Sequence, residues 1–184
     1  RVGQRVVVNP CLINPRLHMD AVRAGGFSDF MKVSNAILEH NVFEISQDLP
    51  LEKAVTIEPA ATGFHLARRA LPQQGEKVVI FGAGTLGLAA LQALVALGID
   101  NVVMVDVADT RLDLALKMGA KAGVNPMKTD VDAFLRDTHG DASGPLPGAD
   151  TDIYIDTAGV SSVIDASIKN AKFNARLVLF GIHK

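Results

Sequence analysis

The sequence predicts an α/β chain built on an open, doubly wound parallel sheet. From residue 78 onward, short apolar runs with strand propensity alternate five times with helix-period stretches. The first run, Val78 to Phe81, ends in Gly82-Ala83-Gly84-Thr85-Leu86-Gly87, a G-x-G-x-x-G pattern that opens a helix-like stretch. The second run, Val102 to Val105, ends in an acid, Asp106, which lies 19 residues beyond Gly87.

Each element follows from local signals. Val6-Val7-Val8 reads as a strand with nothing before it to pair with. Cys11 to Gly26 is irregular, broken by Pro15 and Gly25-Gly26. Phe27 to Val33 reads as a short strand, and Ile37 to Ile45 fits strand or helix equally. A loop over residues 47 to 50 leads into a helix from Leu51 to Ile57. A further helix runs to Ala70, with Pro59 in its first turn, where a missing N–H costs nothing. Pro72 and Gly75 close it.

The helix after Gly87 is apolar all round, which predicts burial on every side, and Gly98 ends it. Thr110-Arg111-Leu112-Asp113 reads as a capping box for the next helix, which Gly119 stops. There follow a strand at 122–124, a helix at 131–138, a Pro/Gly-rich loop at 141–148, a strand at 153–156, a helix at 161–171 and a strand at 177–180. A complete dinucleotide-binding sheet of this kind has six strands, so five are expected here, in a piece of a longer protein. The missing initiator Met and the unpaired opening strand point the same way.

The glycine turn carries the chemistry. Gly82 permits a sharp exit from the strand, Gly84 leaves no Cβ in the way of a pyrophosphate, and Gly87 lets the helix pack on the sheet. The first N–H groups of the helix have no intrahelical partner and face an anion with the positive end of the helix dipole behind them. Asp106 stands where a carboxylate accepts hydrogen bonds from ribose hydroxyls. It would repel a 2′-phosphate, so NAD rather than NADP is expected. A glycine-rich turn with a merely solvated acid is the plainer reading; strand, helix, second strand and acid together weigh against it.

Composition closes off other classes. An apolar content of 48% supports a packed core, and a net charge of −2 with no basic run argues against nucleic acid or an anionic membrane as partner. The longest apolar stretch, Leu86 to Gly98, is too short to span a bilayer. The single cysteine, Cys11, allows no internal disulfide and suits a reducing cytoplasm.

Beyond the glycine turn and Asp106, the segments Val2-Gly3-Gln4-Arg5-Val6, Gly25-Gly26-Phe27, Glu58-Pro59, Thr62-Gly63, Arg111 and Leu177 to Gly181 resemble the medium-chain, zinc-dependent alcohol and polyol dehydrogenases, in the family's order. The resemblance is to the sorbitol- and threonine-dehydrogenase branch. It implies that residues 1–58 are part of a GroES-like, β-rich catalytic domain and that 59–184 are a Rossmann-type NAD domain. It implies hydride transfer between NAD and a small secondary alcohol or polyol, with zinc polarising the alcohol oxygen, in a homo-oligomeric parent enzyme. In that branch the acid of the Glu-Pro pair lies at the catalytic zinc, which makes Glu58 the one candidate ligand. The family's other ligands, a Cys and a His-Glu pair, have no counterpart in the sequence. Of the four cysteines of the family's structural zinc lobe only Cys11 has a match, so no structural zinc is expected. The resemblance assigns no catalytic residue.

Local physics keeps other roles open for these residues. Glu58 also fits as a helix N-terminal acid, and physics without the resemblance favours that. Arg111 is the counterpart of a basic residue beside the adenosine ribose, or else a solvated helix charge. Thr62 either bonds the coenzyme or only occupies its helix. Ala158-Gly159 and Phe180-Gly181-Ile182 follow strands at the carboxyl edge of the sheet, where ligands of such folds bind, and are expected to border adenine and nicotinamide respectively. The five histidines show no metal-binding spacing. Two rival functions are a zinc-free quinone-type reductase, against which Asp106 speaks, and a non-catalytic NAD-binding module. A short-chain dehydrogenase is disfavoured, since Tyr154 is followed four residues on by Ala158 rather than lysine.

Overall fold

Three neighbouring strands of one sheet are buried at every position: β3 (Val78–Phe81), β4 (Val102–Val105) and β6 (Ile153–Asp156). Strands covered on both faces read as continuous apolar runs, because neither face meets water. The computed structural model describes residues 2–9, 28–33, 36–144 and 148–182. It divides into two units, Arg1–Glu58 and Pro59–Lys184.

In the first unit, β1 (Val6–Val8) pairs antiparallel with β2 (Val42–Glu44), Val6 opposite Glu44. The opening strand is therefore paired, by a segment that local patterning left undecided. Arg5 braces the pair by donating from Nη1 to the carbonyls of Gln47 and Leu49, both at 2.8 Å. The strand expected at 27–33 is not formed: residues 28–33 carry no ladder, and Phe30 is 92% exposed. Its apolar residues have no covered face to pack on, so strand propensity goes unused. Cys11 and His18 lie outside the described residues. The expected helix at 51–57 is one turn, α1 (Leu51–Ala54), and α2 (Ile57–Arg69) follows.

The second unit is a five-stranded parallel sheet in the order β5-β4-β3-β6-β7, where β5 is Ala122–Val124 and β7 is Arg176–Leu179. Order runs outward from β3 in both directions, so the chain reverses there and leaves a crevice at the carboxyl ends. Alternate residues feed two cores. Ile80, Met104 and Ile155 pack with Leu66 of α2, with α3 (Thr85–Ala96) and with α4 (Asp109–Lys117). Val79, Val103 and Tyr154 face the opposite core, which includes Leu135 of α5 (Val131–His139) and Val163 of α6 (Ser161–Asn170). This is a Rossmann-type, doubly wound fold. Among the described residues, no helix is long and apolar enough to cross a membrane.

Two local expectations need correction. Helix α3 is not covered all round: Val95 and Leu97 at its end are 39% and 38% exposed. Helix α4 does not start from a Thr110 box. It starts at Asp109, with Ala108 as N-cap and no side-chain cap bond. Tertiary contacts fix its start instead: Asn125 donates from Nδ2 to Val107 O (3.0 Å) and to Asp109 Oδ1 (2.8 Å).

The far end of the sheet is tied by charge. Lys77 Nζ and Lys172 Nζ each approach Asp150 at 2.6 Å, and Lys172 also reaches Asp152 at 2.5 Å. Beneath them His139 is buried, with Nδ1 2.8 Å from Thr151 Oγ1. Burial first, and then the charges of Lys77 and Lys121, push its pKa down to about 4.

Candidate functional site

The turn after β3 is shaped by what a side chain would strike. Gly82 has φ +96°, in the left-handed region open to glycine. A Cβ on Gly87 would lie 1.8 Å from Gly82 O, so only glycine lets the helix sit against the strand end. A Cβ on Gly84 would meet nothing within 4 Å, so the space above it is open. Helix α3 begins at Thr85 with Gly84 as N-cap, and its first turn holds no acid. Free N–H groups and an open approach are what an anion needs.

Asp106 closes β4 beside this turn. It is 8% exposed; its Oδ2 accepts from Ala83 N at 2.7 Å and its Oδ1 from Ala108 N at 2.8 Å. Arg111 Nη1 stands 3.7 Å from Oδ2, with a side chain 58% exposed. A cavity of about 400 Å³ joins these pieces, lined among others by Gly84, Asp106, Arg111, Pro126, Ala158 and Val163. Gly82, Gly84, Asp106, Arg111 and Ala158 thus meet around one space.

The other residues singled out from sequence are placed as follows. Thr85 is exposed on the first turn of α3, and Leu86 is half-buried beside it. Thr62 is half-buried in α2, one residue before Gly63, where a Cβ would lie 2.5 Å from Ala89. Gly159 and Gly181 touch, since a Cβ on Gly181 would be 2.1 Å from Gly159 N. Phe180 and Ile182, on either side of Gly181, are exposed at 41% and 89%. Glu58 is exposed in the first turn of α2 and belongs to the first unit. Among the described residues no three His, Cys, Asp or Glu side chains gather to hold a metal ion. The described residues therefore do not by themselves fit a zinc centre, which needs at least three protein ligands.

Sequence reading missed two residues here. Asp156 is fully buried; its Oδ1 accepts from Ala158 N (2.9 Å) and Gly159 N (3.1 Å), while its carbonyl accepts from Phe180 N and Gly181 N. It joins the two loops that follow β6 and β7. Thr157, next in the chain, lines the cavity. The signal for Asp156 was available: like Asp106, it is an acid ending an apolar strand.

A doubly wound sheet with a glycine turn at its switch point and an acid ending the neighbouring strand defines a Rossmann-type domain. A family model described as zinc-binding dehydrogenase matches residues 85–184, and the chain belongs to that family. It is 31% identical over 162 residues to galactitol 1-phosphate 5-dehydrogenase of Escherichia coli K12, covering 86% of this chain and 43% of that one. It is 27% identical over 196 residues to (R,R)-butanediol dehydrogenase of Bacillus subtilis 168, covering 99% and 53%. A Sinorhizobium meliloti 1021 protein assigned to the zinc-binding dehydrogenases, crystallised bound to NADP, superposes with TM-score 0.66 at 29% identity, over 78% of this chain and 40% of that one. The chain spans about half the length of the curated relatives it matches.

Proposed function

We propose that residues 59–184 are the coenzyme domain of an NAD-dependent dehydrogenase acting on a secondary alcohol or polyol, and that residues 1–58 are part of its GroES-like catalytic domain. One observation carries the coenzyme reading: the Asp106 carboxylate borders the cavity that also opens over Gly84, whose missing Cβ leaves the approach clear. The residues fit a dinucleotide. The N–H groups at the start of α3 would take the diphosphate, and Asp106 would accept from the adenosine ribose, with Arg111 beside it. Ala158 and Gly159 would border the adenine, and Phe180 and Ile182 the nicotinamide. When bound, NAD supplies the hydride acceptor.

The chain's own residues bind and orient. Asp106 is already fixed by Ala83 N and Ala108 N, so little conformational freedom is lost when a ribose arrives. Its charge discriminates against a 2′-phosphate, which also argues against a quinone-type reductase using NADPH. The family's zinc would need ligands besides Glu58, and no step is assigned to it. The small-molecule substrate class rests on the relatives, a polyol phosphate and a butanediol enzyme, and the reducing cytoplasm rests on Cys11 alone.

A second reading has its own support. With no metal-binding cluster among them, the described residues alone would act as a non-catalytic NAD-binding module. Coenzyme titration followed by an assay with butanediol and added zinc tests each reading. Saturable NADH binding without turnover is expected of the isolated chain. Absence of binding would remove the coenzyme reading, and turnover would remove the module.

A further inference from the structure

Thr157 makes contacts that its place at the end of a strand does not require. Its backbone N donates to Phe81 O at 2.9 Å, and its hydroxyl donates to the same carbonyl at 2.8 Å and lies 3.1 Å from Gly82 O. The hydroxyl fills a nook that exists only because two residues lack side chains. A Cβ on Gly82 would lie 2.9 Å from Oγ1, and one on Gly87 would lie 3.0 Å from it. Gly82 O is thus held between the α-carbon of Gly87 on one side and Thr157 Oγ1 on the other.

We infer that Thr157 is a positioning residue for diphosphate binding, an inference that rests on the coenzyme reading above. A carbonyl oxygen left unpartnered beside an anion site would repel a phosphate, and a peptide free to rotate would swing its N–H groups out of line. The Thr157 hydroxyl, its single proton shared between the Phe81 and Gly82 carbonyls, offsets their negative ends. It also fixes the peptide planes from which the turn enters helix α3. Asp156, the preceding residue, anchors the strand end from which the hydroxyl is presented. Thr157 therefore acts on the ligand through the glycine turn.

The test uses ADP and adenosine as probes of the intact chain, followed by NMR shift titration and calorimetry. Thr157→Val keeps the shape and removes the hydroxyl; Thr157→Ala is a second hydroxyl-free variant should the valine fail to fold. ADP affinity is expected to fall at least fivefold in the hydroxyl-free variant, adenosine affinity to stay within twofold, and Thr157→Ser to bind ADP as the native chain does. Unchanged ADP binding without the hydroxyl would overturn the inference. So would an equal loss for ADP and adenosine, which marks a general loss of structure. If the native chain itself bound neither ADP nor NAD, the coenzyme reading would fail, and the inference with it.

Discussion

The side chain of Asp106 accepts a hydrogen bond from the backbone N of Ala83 at 2.7 Å, so the acid that ends one strand is tied to the glycine turn that ends its neighbour. Parallel register brings them together, since Phe81 pairs with Val105. The second carboxylate oxygen takes Ala108 N. Asp106→Asn offers one carbonyl oxygen for two N–H groups, one buried and one part-buried, leaving one of them unsatisfied. A stability loss of about 1–3 kcal/mol is expected. Urea unfolding checks it, and a variant as stable as the native chain would show that these bonds carry no net weight.

Gly84 and Gly87 lie three residues apart and should respond oppositely to alanine. A Cβ at Gly87 would meet Gly82 O at 1.8 Å, so Gly87→Ala must push the helix off the strand, at a cost of about 3 kcal/mol or more. A Cβ at Gly84 meets nothing within 4 Å, and φ there is −78°, which alanine adopts freely. Gly84→Ala should melt within a few degrees of the native chain yet bind NAD at least tenfold more weakly, because the methyl enters the diphosphate approach. Melting curves and calorimetry on the pair check this; undiminished NAD binding by Gly84→Ala would place the diphosphate elsewhere.

His139 gives the fold a defined acid sensitivity. Its folded pKa is depressed to about 4 from an ordinary 6.5, so between those values the unfolded chain binds a proton that the folded chain does not. The contribution is full above pH 6.5 and is lost as pH falls toward 4. By pH 4.5 the loss is about 2–3 kcal/mol. His139→Gln should therefore lose less stability between pH 7 and 4.5 than the native chain, measured by urea unfolding at each pH. Equal losses would assign the acid sensitivity to other groups.

The doubly wound sheet was legible because its strands are buried on both faces, which turns Val78–Phe81 and Val102–Val105 into unbroken apolar runs. The glycine turn was legible because its conformation and close approach admit few other residues. What escaped depends on partners far along the chain. Val6 pairs with Glu44, 38 residues on, and three-residue strands carry no periodicity to announce such a pairing. The start of α4 is set by Asn125 and Asp106 rather than by Thr110. Thr157 acts on a turn some 75 residues earlier, a link no local pattern encodes.

The most direct measurement is calorimetric titration of NAD and NADP into the native chain and into Asp106→Gly. The native chain should bind NAD at least tenfold more tightly than NADP, about 1.4 kcal/mol. Asp106→Gly should erase that preference, with the exposed guanidinium of Arg111 left to face a 2′-phosphate. Equal or tighter NADP binding by the native chain, or a preference unchanged by the substitution, would contradict the place given to Asp106 in the coenzyme site.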